Sequence, residues 1–185
     1  MVKHIIPEIT MKLSHNLSIS VMIDKTEDEL DIQTLLAGPI CMYHNELILD
    51  KDLEWYHSNR YQVIDMDTAN WSIDSTIKSI YECLEIYYDY ADNLDAFNDI
   101  LDDMRNRKYK GLLLVFRHFD NLYDKDREFC ENMLDIISNL SRRWMVTNNF
   151  LITNIQTNDP DFFLPKLGGV IPAWNGQEWL NSNRK

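Results

Sequence analysis

The sequence predicts an α/β protein with a small parallel sheet of three strands and helices packed against it. From residue 61 onward the apolar pattern runs strand, helix, helix, strand, helix, strand, which is typical of parallel α/β units. The segment 111–116 (GLLLVF) is a continuous apolar run, as expected of a strand covered on both faces. Hydrophobic residues make up 45% of the 185-residue chain, with only five Gly and five Pro, so a sizeable core is expected.

Residues 1–60 are expected to form a mixed N-terminal region that extends this domain. Thr26 and Glu29 have the spacing of a capping box, and Gly38 and Pro39 should end the helix that follows. The pattern leaves open whether this region joins the sheet or packs separately. Its expected elements are a strand at 18–24, a helix at 30–36, strands at 41–43 and 46–49 around a turn at His44 and Asn45, and a short helix at 52–57.

Residues 61–157 are expected to form the main domain, with right-handed crossovers between its strands. Residues 158–185 are rich in Pro, Gly and aromatic residues and predict an irregular tail packed on the domain, anchored by Trp174 and Trp179. The expected elements of the main domain are a strand at 61–67, a helix at 77–87, a loop at 89–92, an acidic helix at 93–104, the central strand at 111–116, a long helix capped by Asp124 with apolar positions from 129 to 140, and a last strand at 150–155.

The overall charge and the cysteines restrict the functional class. The formal net charge is −12, which argues against a surface for nucleic acids or anionic membranes, because both require clustered Lys and Arg. Cys41, Cys83 and Cys130 are widely spaced without a metal-ligand pattern and are expected to be reduced core thiols. No apolar run approaches the length of a membrane span. We expect a cytoplasmic protein that needs no cofactor.

The acidic charge is concentrated between residues 79 and 104. This stretch contains no Lys or Arg, and like charges at such density weaken the compact state unless a basic partner neutralises them. A basic protein partner is therefore expected. Its eight carboxylates are Glu82, Glu85, Asp89, Asp92, Asp95, Asp99, Asp102 and Asp103.

The second half of this stretch separates into two faces when it is wound as a helix. With Leu94 at zero, the apolar side chains at 97, 100, 101 and 104 fall between roughly 240° and 360°. The carboxylates at 92, 95, 99, 102 and 103 fall between roughly 80° and 180°. Asp102 and Asp103 lie near the helix end, where the macrodipole disfavours negative charge, so helix stability alone does not explain them. The alternative is that the acidic face is simply exposed to solvent. Ordinary exposed helices, however, carry both positive and negative side chains, which form stabilising i,i+4 pairs.

Enzyme signatures are absent from the sequence. The carboxylates at 92–103 suggest a metal-dependent enzyme as a weaker alternative, but phosphate chemistry needs nearby Lys or Arg, which this stretch lacks. Asp65 and Asp67 begin like a calcium loop whose later ligand positions are missing. His118 and Asp120 form an HxD pattern too short to be specific. No nucleophile or phosphate-binding motif is found, so a non-enzymatic protein without a metal site is expected.

The segment 90–99 (YADNLDAFND) resembles the barstar family of intracellular inhibitors of barnase-like ribonucleases. The family pattern is an aromatic residue, a glycine, a polar residue, then Asn-Leu-Asp-Ala and a second Asp shortly after. The resemblance extends to the segments 61–67, 77–88, 111–119 and 150–156, about half of the chain. It implies a parallel sheet of three strands with packed helices, while residues 1–60 and the tail have no counterpart.

The resemblance also implies a function: an inhibitor or immunity protein whose acidic helix and preceding loop occlude the basic active site of a ribonuclease toxin. Asp99 is then the central phosphate mimic and Asp95 its partner one turn earlier, while Asn93 caps the helix. The implied partner-binding residues are Asp95, Asp99, Asp92, Asp89, Tyr90, Asn98 and Asp102.

The chain departs from the family pattern at three places. Ala91 replaces the usual Gly, Asn98 a bulky aromatic residue, and Asp89 a tyrosine that contacts the target. A toxin other than barnase is therefore expected. The alternative function is a non-catalytic interaction scaffold of the same fold that uses the N-terminal region or the tail.

Overall fold

The computed structural model describes residues 29–87, 91–105 and 108–185. The described helices are α1 (Leu30–Ala37), α2 (Glu46–Ser58), α3 (Ile73–Cys83), α4 (Leu94–Asp103), α5 (Phe119–Tyr123) and α6 (Arg127–Val146), with a short 3₁₀ helix at Asn181–Asn183. The described strands are β1 (Ile40–Tyr43), β2 (Tyr61–Asp67), β3 (Gly111–Arg117), β4 (Phe150–Gln156) and β5 (Ala173–Trp174).

The described strands form one parallel sheet in the order β2-β3-β4-β1-β5. The predicted α/β class is confirmed, and β2, β3 and β4 are the three expected strands. The sheet has five strands rather than three, because β1 pairs with β4 and the tail adds β5 beside β1. Of the N-terminal region, residues 40–43 therefore join the sheet.

Helices cover both faces of the sheet, and side chains of β3 alternate between two apolar cores. Leu113 and Val115 point into a core that contains the side chains of α2 and the partly buried side chains of α1. Leu112, Leu114 and Phe116 point into the larger core, which α3, α4 and α6 complete. The prediction that 111–116 is a strand buried on both faces is confirmed, since all six residues are buried.

Helix α1 is held to the sheet by a buried carboxylate. Asp31 is fully buried, and its Oδ2 accepts a hydrogen bond from Tyr61 Oη at 2.6 Å and contacts Lys110 Nζ at 2.5 Å. The expected helix at 30–36 is thus found. It begins at Leu30 with Glu29 at the N-cap position, so Glu29 does not occupy the third helical position that the predicted capping box requires. Thr26 and the predicted strand at 18–24 lie outside the described residues.

The strand predicted at 46–49 is wrong, because these residues form the first turns of α2. Asn45 Oδ1 accepts a hydrogen bond from the backbone N–H of Leu47 at 2.9 Å and caps the helix. Leu49, Leu53 and Tyr56 then follow at helical spacing and are buried against the sheet. The short helix predicted at 52–57 is the second half of this longer one.

The cap predicted for the long helix α6 is displaced by two residues. Asp126 Oδ1 accepts a hydrogen bond from Phe129 N at 3.0 Å, whereas Asp124 ends the preceding helix α5. His118 joins β3 to α5 with a left-handed backbone (φ 55°), an uncommon conformation for a residue other than glycine. The cysteines also differ from expectation, since Cys41 and Cys130 are buried but Cys83 is exposed.

The tail is irregular apart from β5 and packs on the sheet edge. Trp174 is partly buried, and the guanidinium carbon of Arg184 lies 4.0 Å from the centre of its ring. Glu178 is fully buried and accepts hydrogen bonds from the backbone N–H groups of His44 and Asn45 at 2.9 and 3.1 Å. Trp179 is not an anchor, because 64% of it is exposed.

Candidate functional site

The acidic helix α4 begins at a capped N-terminus. Asn93 has an extended backbone, and its Oδ1 accepts a hydrogen bond from the N–H of Ala96 at 2.9 Å. This satisfies one of the amide groups that a first helical turn leaves without a partner. The helix then runs to Asp103, close to the predicted range of 93–104. The cap therefore fixes where the acidic helix starts.

The apolar side of α4 lies in the larger core. Phe97 and Leu101 are fully buried and Ile100 is 9% exposed. Trp144 of α6 belongs to the same core and is 1% exposed. Full burial of such side chains contributes about 1.5–3 kcal/mol each to the free energy of unfolding. The apolar side of the helix is thus fixed against the core, and the opposite side is exposed to solvent.

Four carboxylates stand on the exposed side of α4 and its N-terminal flank. Asp92, Asp95, Asp99 and Asp103 are exposed. Within the described residues none of the four forms an ion pair, although nine ion pairs occur elsewhere in that part of the chain. Their charges are therefore not neutralised by described cations at ion-pair distance.

Asp102 differs from these four carboxylates because it has partners within the chain. Its Oδ1 accepts a hydrogen bond from the indole Nε1 of Trp144 at 3.1 Å. Arg143 Nη1 lies 3.6 Å from its Oδ2, and Arg105 Nη2 lies 3.6 Å from its Oδ1. These cations also offset the negative end of the α4 dipole, where a bare carboxylate is disfavoured.

Asn98 connects the acidic helix to α6. Its Oδ1 accepts a hydrogen bond from Arg143 Nη2 at 3.1 Å, and its Nδ2 donates one to Asp99 Oδ1 at 3.0 Å. The Asp99 carboxylate therefore has a neighbour that orients it. The side chains of Asp92 and Asp95 have no hydrogen bond or ion pair with the described residues.

The loop before α4 is only partly described. Asp89 and Tyr90, two of the residues implied in partner binding, lie outside the described residues. Ala91 and Asp92 are described and exposed. Of the seven implied partner-binding residues, the structure therefore brings Asp92, Asp95, Asn98, Asp99 and Asp102 together on or beside one helix.

A second polar cluster lies where the parallel strands end, and sequence reasoning found only part of it. His118 Nδ1 lies 2.9 Å from Asp67 Oδ1, and His118 Nε2 lies 3.6 Å from Glu46 Oε1. The pKa of Asp67 is held below its ordinary value, first by a hydrogen bond from the Ala69 N–H and then by His118. Asp120 instead contacts Asn158, so the HxD pattern is not a dyad.

Neither cluster provides a metal centre within the part of the chain that is described. No group of three or more His, Cys, Asp or Glu side chains there is arranged to hold an ion. Among the described residues, no helix has both the length and the apolar character needed to cross a membrane. A cleft of about 210 Å³ lies between α1, β1 and the tail, and no residue of α4 lines it.

The fold and the geometry of α4 define a class of small parallel α/β proteins that display an acidic helix fixed by its apolar side. The sequence matches the family described as Barstar (barnase inhibitor) over residues 59–158, more than half of the chain. The chain therefore belongs to the barstar family, as the motif at 90–99 indicated. A comparison with curated proteins finds no match.

Proposed function

We propose that this protein is an inhibitor or immunity protein that occludes the basic active site of a ribonuclease-type toxin. The observation that carries the proposal is the row of exposed carboxylates on α4 without cationic partners among the described residues. Membership of a family described as barnase inhibitors supports the same function. No catalytic role is assigned to any residue of the chain, and we place the protein in the cytoplasm, without direct contacts to nucleic acid or membrane.

The proposed mechanism replaces RNA phosphates with carboxylates. A ribonuclease cleft is lined by cations that bind phosphate, and Asp95 and Asp99 stand one helical turn apart at the centre of the exposed row. Asp92 extends this surface before the helix, and the family resemblance also implies Asp89 and Tyr90 in partner binding. The net charge of −12 attracts a basic partner over a distance and raises the association rate at low salt.

The decisive variant is Asp99→Ala. We expect it to weaken binding to the partner by about 2 kcal/mol or more, as for a central residue desolvated in the complex. The matched control is Glu54→Ala, which removes one exposed carboxylate from α2 on the other face of the sheet. The measurement is the dissociation constant for the basic partner isolated by affinity capture, with barnase as the first probe, together with rescue of growth when the protein is co-expressed with that partner.

The salt dependence of binding tests the electrostatic part of the proposal. Binding should weaken as ionic strength rises from about 0.05 to about 0.5 M, because the Debye length becomes shorter and the attraction between exposed charges is screened. If the double variant Asp95→Ala/Asp99→Ala binds every isolated basic partner as tightly as the wild type, the acidic helix is not the interface.

Three positions indicate that the partner differs from barnase. Ala91, Asn98 and Asp89 depart from the family pattern, and Asn98 contributes a small polar group where a large aromatic contact is usual. Affinity capture of basic proteins with the wild type and with the Asp95/Asp99 double variant as baits identifies the partner, because only a specific partner is lost from the variant.

An interaction scaffold is the second candidate function, favoured by exposed aromatic side chains in the tail. Trp179 is 64% exposed and Phe163 is 65% exposed. Such large side chains are enriched in protein interfaces. A partner that is lost from Trp179→Ala but retained by the Asp95/Asp99 double variant supports the scaffold function instead of inhibition.

A further inference from the structure

A continuous series of side-chain contacts runs from the core to the exposed carboxylate of Asp99. The buried indole of Trp144 donates to Asp102 Oδ1 at 3.1 Å, and Asp102 Oδ2 lies 3.6 Å from Arg143 Nη1. Arg143 Nη2 donates to Asn98 Oδ1 at 3.1 Å, and Asn98 Nδ2 donates to Asp99 Oδ1 at 3.0 Å. We call these five residues the α4–α6 network.

We infer that Arg143 is a positioning residue that fixes the Asp99 carboxylate, through Asn98, in the orientation in which it meets the partner. The inference rests on the proposed function of α4. Arg143 lies 45 positions after Asn98 in the sequence and is not among the residues that the family motif indicates. Its contribution to binding is therefore indirect and does not require that it touch the partner.

The planar guanidinium allows Arg143 to act on two acceptors at once. One of its amino groups faces Asp102 and the other faces Asn98, which is a geometry that a single lysine ammonium cannot reproduce. The contact also determines which way the Asn98 amide points. With its oxygen on the Arg143 side, the amide must present its NH₂ group to Asp99. Without Arg143 the amide oxygen loses its donor, and only the contact with Asp99 still orients the amide.

The network also counteracts repulsion between the carboxylates of α4. Arg143 places one positive charge between Asp102 and Asn98, next to the exposed row of negative charges. Its side chain is 53% exposed, so the ion pair itself contributes little to folding. Its larger effect is to order Asp99 before binding, since fixing a side chain in advance reduces the entropy lost in the complex.

The first test uses the free protein and needs no partner. Side-chain couplings in NMR spectra report the χ1 populations of Asp99, and the NH₂ resonances of Asn98 report the order of its amide. In the wild type we expect one dominant Asp99 rotamer. In Arg143→Ala and in Asn98→Ala we expect averaged rotamers, while Arg142→Ala, an equal loss of charge at the neighbouring exposed position, should match the wild type.

The second test measures association and dissociation rates with the basic partner isolated by affinity capture, and with barnase as a reference probe. Arg143→Ala should lower affinity about threefold to tenfold, mainly through faster dissociation, with Arg143→Lys restoring only part of the loss. Unchanged Asp99 rotamers in Arg143→Ala overturn the inference, as does a loss of affinity that Arg142→Ala reproduces in full. If instead Asp99→Ala itself leaves binding unchanged, the proposed function fails while the rotamer result still decides the role of Arg143.

Discussion

At the scale of single residues, Asp52 is a buried acid whose ionised form opposes folding. It is 7% exposed, and its Oδ2 accepts hydrogen bonds from Tyr43 Oη at 2.9 Å and Asn175 Nδ2 at 2.8 Å. Burial nevertheless raises the pKa of Asp52 above its ordinary value, because desolvation outweighs these two hydrogen bonds and the nearby carboxylate of Glu178 adds to it. The folded state therefore binds the Asp52 proton more tightly than the unfolded state.

The sign of this shift predicts the behaviour of Asp52→Asn. In the wild type, the contribution of Asp52 to the free energy of unfolding falls as the pH rises from the ordinary Asp pKa through the raised pKa of the folded state. The neutral variant has no such loss. At neutral pH Asp52→Asn should therefore raise the free energy of unfolding. Urea unfolding of both proteins between pH 4 and 8, with Glu54→Gln as an exposed control on the same helix, measures the difference. A gain that does not grow with pH contradicts the assignment.

Residue-level prediction from sequence works best where the interaction is local. The cap at Asn93 is implied by the family motif at 90–99, which is a local pattern, and in the structure its Oδ1 accepts a hydrogen bond from Ala96 N. The contacts of Arg143 and Trp144 with α4 could not be foreseen, because they join residues more than 40 positions apart on separate helices. The only signal in the sequence was the position of both residues near the end of a long amphipathic helix.

At the scale of elements, the N-terminus of α4 determines how firmly the acidic row is held. Removing the cap with Asn93→Ala should lower the free energy of unfolding by about 1 kcal/mol, because the Ala96 N–H loses its acceptor. Asn93→Asp retains an acceptor and should recover the loss. Urea unfolding monitored by circular dichroism measures both variants, and equal stability of Asn93→Ala and wild type contradicts this role.

The errors at element scale come from α2 and the tail. Residues 46–49 (ELIL) contain three consecutive apolar residues and therefore read as strand-like, but the cap at Asn45 and the carboxylate of Glu178 both satisfy amide groups at the start of a helix. Glu178 lies more than 130 positions away from those groups, so no local pattern reveals it. By contrast β2, β3, β4 and α4 were predicted nearly to their ends, since their apolar periodicity is strong and local.

At the scale of the whole molecule, the division of the chain at residues 60 and 158 stays a prediction, and the structure suggests how to test it. The side chains of Leu113, Val115 and Ile152 lie in the core that α1 and α2 cover. Without residues 1–60 these side chains face water, and each loses about 1.5–3 kcal/mol of the stabilisation that burial gives. That loss is comparable with the whole stability of a typical domain.

We therefore expect a fragment of residues 61–157 not to fold stably alone, although it contains nearly all of the segment that matches the family. Circular dichroism and the chemical-shift dispersion of amide protons, compared between the fragment and the full chain, measure whether the fragment folds. A cooperative unfolding transition of the isolated fragment contradicts it and shows that the N-terminal helices are dispensable for the sheet.

The strand order has a consequence for the time at which the sheet becomes complete. Strand β1 is synthesised early but lies between β4 and β5, and its Ile40 pairs with Thr153. During translation β1 must wait for more than a hundred further residues before its partner strand β4 exists. Such distant pairings slow folding. Because β1 also pairs with β5, its last neighbour in the sheet exists only after residue 174 has been synthesised.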